Sequence, residues 1–555
     1  MAAEVEQRGP RVLREARLLA RQVAEQVATE HGVCIRPVPY WRTDVRTGRR
    51  EVVAVPCGAT LESACPPCAR RTRQIRMAQC REGWHLEAEP VASAVKANEE
   101  QRWLIEFRAD LQAQRDEAEH AGEAAAVADL DAAITDVDAE IITAGMSGSV
   151  AGRTGGPRTR STRRRQDAPD LPRRVMRDTT LGRTFASPDG KVFRPSMFLT
   201  LTLPSYGRVR NGVPVDPDSY DYRRAARDAL HFSKLIDRFV QNLRRVAGFD
   251  VQYFATVEPQ KRLAPHLHMA IRGTLPRAEL RQVVAATYHQ VWWPAADEVR
   301  FDGEHLPVWS EDTGYVDPVS GAVLPTWDEA LDRLDADADA EPLHVVRFGA
   351  QLDVQGVLAG TPDADQRVRY LAKYLTKSLG DPVGDGADDV ARRDHVGRLV
   401  AALRWEPCAP TCANWLRYGV QPKGAKQGLL PGRCRSKAHR AAHLGYAGRR
   451  VLVSRKWSGK TMGEHKADRR AWALAALGMQ AEQQSDRHRY VWRRASASDP
   501  DVPSRGLLLL RMVAERRRWR AELERVRARA DGVALDVPAV TLPGQACSLG
   551  EVTLF

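Results

Sequence analysis

The stretch APHLHMAIRG, residues 264–273, combines an apolar β-strand pattern with two histidines. Side chains along a β-strand alternate between its two faces, so Leu267, Met269 and Ile271 share one face and His266 and His268 share the other. The aliphatic face predicts a strand that packs on a core. Two imidazoles side by side on the opposite face indicate a metal site.

A second strand precedes the histidines and carries a carboxylate on the matching face. In VQYFATVE, residues 251–258, the alternation places Phe254, Thr256 and Glu258 on one side. A hairpin would bring the Glu258 carboxylate next to both imidazoles. Two histidines and one carboxylate form an open, borderline-hard site for Mg²⁺ or Mn²⁺, with positions left for a phosphate oxygen. The alternative interpretation is a pair of partly exposed surface histidines.

A helix predicted further along the chain carries two tyrosines. The segment DQRVRYLAKYLTKSLG, residues 365–380, is expected to be helical and to end at Gly380. One stripe at helical spacing is polar and aromatic: Tyr370, Lys373, Tyr374 and Lys377. The opposite stripe is aliphatic: Val368, Leu371, Leu375 and Leu379. A phenol can attack phosphorus once a cation has withdrawn charge from the phosphate, and lysines stabilise the negative charge that develops. The first stripe therefore favours phosphate chemistry over the alternative, in which the tyrosines lie at the edge of a core with their hydroxyls in water.

The surrounding segments predict a mixed domain built on an antiparallel sheet. MFLTLTL (197–203) and LHVVRFGAQLDV (343–354) are expected to form strands, and residues 221–247 a long amphipathic helix. Antiparallel strands with helices on one face are the expected layering. We therefore predict an α+β fold.

Composition points to a polyanionic partner. The 555 residues carry a formal net charge of +13, which favours nucleic acid first and an acidic membrane surface second. No run is apolar enough to cross a bilayer, and the N-terminus lacks the apolar segment of a signal peptide, so we expect a cytoplasmic protein without a membrane partner. Nine cysteines are too few for a disulfide scaffold in so long a chain, and clustered ones suggest metal.

Two groups of cysteines have spacings that suggest structural Zn²⁺. The first group is Cys57, Cys65, Cys68 and Cys80, with His85 as a substitute ligand. The second group is Cys408, Cys412 and Cys434 with His439 or His443. Structural zinc takes four sulfur or nitrogen ligands, and the alternative is a set of unligated buried cysteines. Cys34 and Cys547 are left outside both groups.

Several domains are expected from the length of the chain. The predicted regions are an N-terminal helix (1–30), a cysteine module (31–95), a helical segment (96–145), a basic flexible linker (146–189), a central domain (190–385) with an acidic insertion near 296–343, a second cysteine module (386–465), and a C-terminal helical region and tail (466–555).

Two basic stretches are candidate DNA contacts. The linker contributes Arg163, Arg164 and Arg165, and the strand-like segment near the second cysteine module contributes Arg455, Lys456, Trp457 and Lys460. The cations would bind the DNA backbone, and the tryptophan would stack on bases.

Three motifs resemble those of the HUH endonucleases: FLTLT (198–202), HLHMAIRG (266–273) and YLAKY (370–374). The two-tyrosine motif is most similar to that of rolling-circle replication initiators. The basic segment GYAGRRVLVSRKWSGKTM (445–462) and the cysteine clusters resemble the longer initiators of actinomycete plasmids and integrative conjugative elements.

The resemblance implies an enzyme that nicks and joins one strand at an origin through a 5′-phosphotyrosine, leaving a 3′-hydroxyl primer. The metal ligands for Mg²⁺ or Mn²⁺ would be His266, His268 and Glu258. The nucleophiles would be Tyr370 and Tyr374, and Lys373 would position the phosphate. Its partners would be single-stranded, hairpin and duplex origin DNA, host helicase and host DNA polymerase.

Two other functions remain open at this point. A two-tyrosine transposase of the same superfamily would share the metal site and the tyrosine pair. A non-catalytic, zinc-dependent DNA-binding regulator would explain the charge and the cysteines, but it would leave the histidine, glutamate, tyrosine and lysine set as a coincidence.

Overall fold

A computed structural model describes residues 11–90, 98–144, 168, 170–188, 192–373, 375–376, 387–476, 489–496 and 499–530. Its α-helices are α1 (Arg11–Glu30), α2 (Pro66–Trp84), α3 (Glu99–Ala121), α4 (Ala124–Thr143), α5 (Tyr222–Ala247), α6 (Arg277–Ala286), α7 (Trp327–Ala336), α8 (Pro362–Ala372), α9 (Ala387–Trp405), α10 (Met462–Ala476) and α11 (Arg505–Ala530).

The strands are β1 (Val38–Asp44), β2 (Arg50–Val55), β3 (Phe185–Ala186), β4 (Val192–Phe193), β5 (Pro195–Thr202), β6 (Val209–Arg210), β7 (Val213–Pro214), β8 (Tyr253–Pro259), β9 (Pro265–Arg272), β10 (Tyr288–Val291), β11 (Val308–Ser310), β12 (Gly314–Val316), β13 (His344–Arg347), β14 (Leu352–Leu358), β15 (Val451–Val453) and β16 (Tyr490–Arg494). The protein is therefore mixed α/β with antiparallel sheets.

The chain divides into two compact units, and the smaller comprises residues 91–165. In that unit α3 and α4 form a helical hairpin. A capping box between Asn98 and Gln101 starts α3, and Gly122 ends it in the left-handed conformation. The hairpin core is aliphatic: Leu104, Leu111, Ile134, Val137 and Ile141.

The larger unit, residues 1–90 and 166–555, contains a five-stranded antiparallel sheet of order β14-β5-β9-β8-β15. The β8–β9 hairpin sets Glu258 opposite His266 and Thr256 opposite His268. On the other side of β9, Thr200 of β5 also lies opposite His268. Directly opposed residues share a face, so these polar side chains share one side of the sheet.

The other side of the sheet packs on α5. Asp221 caps this helix by accepting a hydrogen bond from the Arg224 amide, and Gly248 ends it in the left-handed conformation. Its buried stripe recurs at helical spacing: Phe232, Leu235, Ile236, Phe239 and Leu243. These side chains join those of the sheet in the largest core of the protein: Leu199, Leu201, Leu267, Met269 and Ile271. The aliphatic side of the HLHMAIRG strand is thus buried as its alternation predicts.

The polar side of the sheet is also covered, and the prediction of helices on one face only is wrong. Phe198 and Ala270 pack beneath α8, together with Trp84 of α2 and Trp457 of the segment after β15. A Cβ atom at Gly83 would lie 2.2 Å from the Trp457 ring, so only glycine permits this approach. α8 follows β14 directly in the chain, whereas α2 is remote from every strand of this sheet, and local patterning does not reveal that it packs there.

The predicted strand 343–354 is two strands in different sheets. β13 pairs with β10, whereas β14 pairs with β5. Between them, the Gly349 amide donates to the carbonyl of Thr202 at 2.8 Å. The chain therefore changes sheets at a glycine inside what the sequence presents as one apolar run.

The two ends of the described chain meet in a small sheet of order β16-β1-β2. Next to it α1 and α11 pack through Ala28, Val33, Leu509 and Val513. Within the described residues, none of the helices combines the length and the apolarity that crossing a bilayer requires.

Candidate metal centre and nucleophile

The β8–β9 hairpin brings three potential metal ligands together. One ligand atom each from Glu258, His266 and His268 lies within 4.8 Å of the other two. His268 is buried, and the other two are half-buried. Because all three stand on paired strands of one sheet, their positions follow from strand register and not from the conformation of a loop.

Neighbouring polar groups orient the rings. Nε2 of His268 lies 3.1 Å from Oε1 of Glu258, and Nδ1 lies 3.1 Å from the hydroxyl of Thr200. Nδ1 of His266 lies 3.2 Å from Nε2 of the Gln260 side chain. Such outer partners fix the orientation of a ligating imidazole. The alternation in FLTLT already places Thr200 on this face, but Gln260 lies in a turn that no pattern marks.

Burial keeps His266 neutral. Desolvation, followed by the positive influence of His268, lowers the pKa of His266 to about 4 despite the nearby Glu258. A neutral imidazole has the free lone pair that a metal ion requires. Two imidazoles and one carboxylate therefore form a donor set that suits a divalent cation and leaves room for further oxygen ligands.

Tyr370 faces this donor set from α8. Its hydroxyl lies 3.2 Å from Nε2 of His268, and the two rings meet edge to face with centroids 4.9 Å apart. The ring is 39% exposed, whereas Val368 and Leu371 of the same helix are buried against the sheet. Burial of that aliphatic stripe sets the rotation of the helix and turns Tyr370 toward the histidines.

The helix is shorter than its sequence predicts. It begins after Thr361, whose hydroxyl accepts from the Ala364 amide, and it ends at Ala372 instead of Gly380. Lys373 is exposed immediately after the last helical residue. Tyr374 and Lys377 lie outside the described residues, as do Arg163, Arg164 and Arg165 of the predicted linker.

The first cysteine cluster has a different membership from the predicted one. The structure brings together Cys34, Cys57, Cys65 and Cys68, with ligand atoms within 4.8 Å of one another. The Sγ atoms of Cys57 and Cys68 are 3.7 Å apart. The hairpin of β1 and β2 returns the chain, so Cys57 lies beside Cys34, and the Cys57 amide donates to the Cys34 sulfur at 3.2 Å.

Cys80 does not belong to this cluster, which corrects the prediction from spacing. It follows Cys68 by twelve residues of α2, a distance of about 18 Å at 1.5 Å per residue. It lies instead in the apolar core with Trp84 and Trp457, where burial raises the pKa of its thiol. The substitute His85 accepts a hydrogen bond from the Gly360 amide, away from the cluster. The length of the helix therefore excludes a ligand that spacing alone admits.

The second cluster contains Cys408, Cys412, Cys434 and His439. Nε2 of His439 lies 3.6 Å from the Cys412 sulfur, and Nδ1 lies 2.6 Å from the carbonyl of Leu403. His443, the alternative fourth ligand, is buried outside the set. Both clusters offer the four sulfur or nitrogen donors that tetrahedral zinc takes.

Most of the predicted DNA contacts after β15 already interact with other residues of the protein. Trp457 is 0% exposed, which corrects the expectation that it stacks on bases. Nζ of Lys456 lies 3.6 Å from Asp250, and Nζ of Lys460 lies 2.7 Å from Asp468. Arg455 is exposed.

Comparisons with known proteins point to DNA replication. A family model for the replication initiator protein of pSAM2 matches residues 20–515. A replication initiator protein of Streptomyces ambofaciens is 28% identical over 261 residues, which are 40% of this chain and 52% of that protein. A glycogen synthase of Rhodopseudomonas palustris (strain BisB18) is 29% identical over 197 residues, which are 32% of this chain and 39% of that protein.

The chain thus spans about half the length of the first of these curated relatives and less of the second. No solved structure matches it. The family match extends over both cysteine clusters, the central sheet and α8, whereas each relative covers less than half of the chain.

Proposed function

The chain belongs to the family of the pSAM2 replication initiator protein, and we propose that it starts replication by nicking one strand of an origin and rejoining it. The observation that carries this proposal is the 3.2 Å approach of the Tyr370 hydroxyl to His268 within a three-residue donor set. Family membership supports the role in replication, and the geometry supports the chemistry.

The donor set fits Mg²⁺ or Mn²⁺, which Glu258, His266 and His268 would hold. Bound there, the ion would withdraw electron density from the scissile phosphate and make its phosphorus electrophilic. The apolar layer formed by Phe198, Trp84 and α8 excludes water from the adjacent part of the sheet. A phosphate would therefore enter from the exposed side of Tyr370.

Tyr370 would be the nucleophile. Its phenolic oxygen forms a bond to phosphorus, and the bond from phosphorus to the 3′ oxygen of the preceding nucleotide breaks. The phenol loses its proton, and the departing 3′ oxygen takes one up, so no further reactant is needed. The products are a 5′-phosphotyrosine and a 3′-hydroxyl that host DNA polymerase could extend.

Lys373 is exposed three residues after Tyr370 and would stabilise charge on the phosphate. We propose Tyr374 as the second nucleophile on the basis of the sequence motif, since it lies outside the described residues. When one round ends, the second phenol would cleave the regenerated origin and release a 3′-hydroxyl. That hydroxyl would attack the phosphotyrosine at residue 370, so the strand is rejoined and the first phenol leaves. Host helicase would supply unwinding.

The cysteine clusters would hold structural zinc. Each presents four donor atoms within 4.8 Å of one another, and each brings together segments that are separate in the chain. We propose that these modules shape the surfaces that bind the origin, where the net positive charge favours DNA.

Two alternatives predict different products. A two-tyrosine transposase would cut at the ends of a mobile element, and the replication initiator family match favours origin cleavage over it. A non-catalytic DNA-binding regulator would bind DNA without a covalent adduct. Its difficulty is the Tyr370–His268 contact, which a purely structural site does not require.

The direct test is adduct mapping. The full chain is incubated with Mn²⁺ and single-stranded oligonucleotides that tile the replication origin of its own element, and tyrosine-containing peptides are examined by mass spectrometry. We expect a nucleotide adduct on residue 370 or 374. Metal-dependent binding with no adduct on either residue would contradict the proposal, and cleavage restricted to terminal repeats would favour the transposase.

A further inference from the structure

A large cavity lies on the opposite side of the central sheet from Tyr370. It has a volume of about 1180 Å³ and is enclosed by α5, β10 with the residues that follow it, and the segment 408–449. Val257 contributes to its wall, and Val257 points away from the face that carries its neighbour Glu258. The cavity is therefore separate from the site of Glu258, His266 and His268, whereas Cys408, Cys412 and Cys434 of the second cysteine cluster belong to its lining.

The cavity is lined in part by exposed cations. The basic lining residues are Lys234, Lys426, Arg433, Arg435 and Arg449, and all of them are exposed. Among the described residues that line the cavity there is no aspartate or glutamate. Lys234 has a distant carboxylate, Asp237, at 3.9 Å, while the ion pairs found in the described part of the chain include none of the other four cations.

Part of the lining is aromatic. It includes His231, His289, Trp292 and Trp293. His231 is 6% exposed and meets Trp293 edge to face with centroids 4.7 Å apart. Burial, together with neighbouring positive groups, lowers the pKa of His231 to about 3 and that of His289 to about 4. Both rings are thus neutral near pH 7, and they form an uncharged part of the lining.

We propose that this cavity binds an unpaired nucleotide of single-stranded DNA, with phosphates at the cations and the base against the aromatic wall. A cavity lined by exposed cations and by buried or half-buried rings matches the two surfaces of a nucleotide. A membrane surface could not enter it, and a base inside a duplex would first have to leave its stack. The inference rests on the proposed function in one respect, which is that DNA is taken as the polyanion that binds the cations.

Binding to a labelled 20-nucleotide oligo-dT, followed by fluorescence anisotropy at several salt concentrations without added Mg²⁺ or Mn²⁺, tests the proposal on the full chain. The cavity variant combines Lys426→Gln, Arg433→Gln and Arg435→Gln. Each lost phosphate contact lowers the slope of log affinity against log salt by about 0.7 for a single strand, so we expect the slope to fall by about 2.

A matched control removes the same charge elsewhere. It combines Lys423→Gln, Arg440→Gln and Arg281→Gln, three exposed cations that do not line the cavity. We expect the wild-type slope. Equal slopes for the two triple variants would overturn the proposal, and similar melting temperatures show that both fold.

The aromatic wall is tested separately. Trp292→Leu removes a stacking surface that is half-buried and lies outside the hydrophobic cores of the described residues. We expect affinity for oligo-dT to fall about 5- to 150-fold, with Trp292→Phe closer to wild type. An unchanged affinity for both variants would contradict stacking in this cavity.

Competition identifies the ligand. We expect unlabelled oligo-dT to displace the probe far better than dTTP. Displacement by dTTP at equal concentration would mean a site for free nucleotides and would overturn the proposal, as would tighter binding of oligo-rU. Because this assay needs no cleavage, oligo-dT binding at the cavity without a tyrosine adduct would refute only the proposed function, and an adduct with no cavity effect would refute only this inference.

Discussion

The histidine–glutamate site and the first cysteine cluster are both candidate metal sites, but they are built in different ways. Glu258, His266 and His268 stand on paired strands that also bury a large apolar core. The cysteines converge from the two ends of a hairpin and the start of α2, around a small cluster of partly buried side chains. A site on a sheet depends on register and is held by the core, whereas a site between loops depends on its ion for stability. Substitutions in the histidine–glutamate site should therefore lower activity with little effect on stability, whereas substitutions in the cysteine cluster should lower stability.

Replacing the proposed nucleophile should abolish most of the nicking activity and leave the stability of the fold unchanged. Tyr370→Phe removes the attacking oxygen but keeps the ring against His268, so we expect origin nicking of supercoiled plasmid to fall at least about 1000-fold with an unchanged melting temperature. Tyr288→Phe, on β10, is the control and should nick normally. Nicking by the Tyr370 variant above one tenth of wild type would show that the other tyrosine can replace it.

Removal of a metal ligand from the sheet should have the next largest effect on activity. His268→Ala takes away one of three donors, so we expect nicking with Mn²⁺ to fall at least about 100-fold while the five-stranded sheet persists. The exposed His305→Ala serves as control. A large loss of secondary structure by circular dichroism in the His268 variant would contradict the idea that the core holds this site.

Removing a ligand from the first cysteine cluster should lower the stability of the protein. Cys34→Ser removes a cysteine that the structure places in the first cluster, and we expect the zinc content measured by mass spectrometry to fall from about two ions per chain to one, with a lower melting temperature. Cys80→Ser is the matched control, because Cys80 lies in the apolar core and should leave the zinc content unchanged. The reverse pattern would restore the set predicted from spacing.

A smaller effect is expected from the partner that orients His268. Thr200→Val removes the hydroxyl 3.1 Å from Nδ1, and we expect the apparent Mn²⁺ affinity in the nicking assay to fall about 10- to 100-fold. Thr200→Ser keeps the hydroxyl and should recover most of that affinity. Equal behaviour of the two variants would show that the hydroxyl does not orient the ring.

The smallest expected effect concerns the basic segment after β15. Arg455→Gln should lower the salt slope of duplex binding by about 0.9, the value for one phosphate contact. Lys460→Gln should leave the slope unchanged, since Asp468 already pairs with that lysine at 2.7 Å. An equal loss for both variants would show that the ion pair opens when DNA binds.

Local patterning anticipated the elements that carry the site. Alternation in the strands around Phe198, Glu258 and His268 placed apolar and polar side chains on the faces that they occupy. Helical spacing separated Tyr370 from the aliphatic stripe that packs on the sheet. Both patterns have periods of a few residues, so a single segment contains the information.

Other features depend on partners that no segment contains. The break between β13 and β14 arises because the first half of this segment pairs with β10 and the second half pairs with β5, which lies in a different sheet. β1 pairs with β16 across most of the chain, so Tyr40 lies opposite Arg494. The sequence predicts that Trp457 is exposed among basic residues, but α2 packs on it and buries it.

Residue identity and backbone period are enough to establish which chemical groups the protein has and which side of each strand or helix they occupy. The folded chain is needed to show that Cys34 and not Cys80 joins the first cluster, that Trp457 is buried, and that a basic cavity forms on the α5 side of the sheet. These outcomes depend on distances between segments remote in the chain, which are set by helix length, strand register and the packing of whole layers.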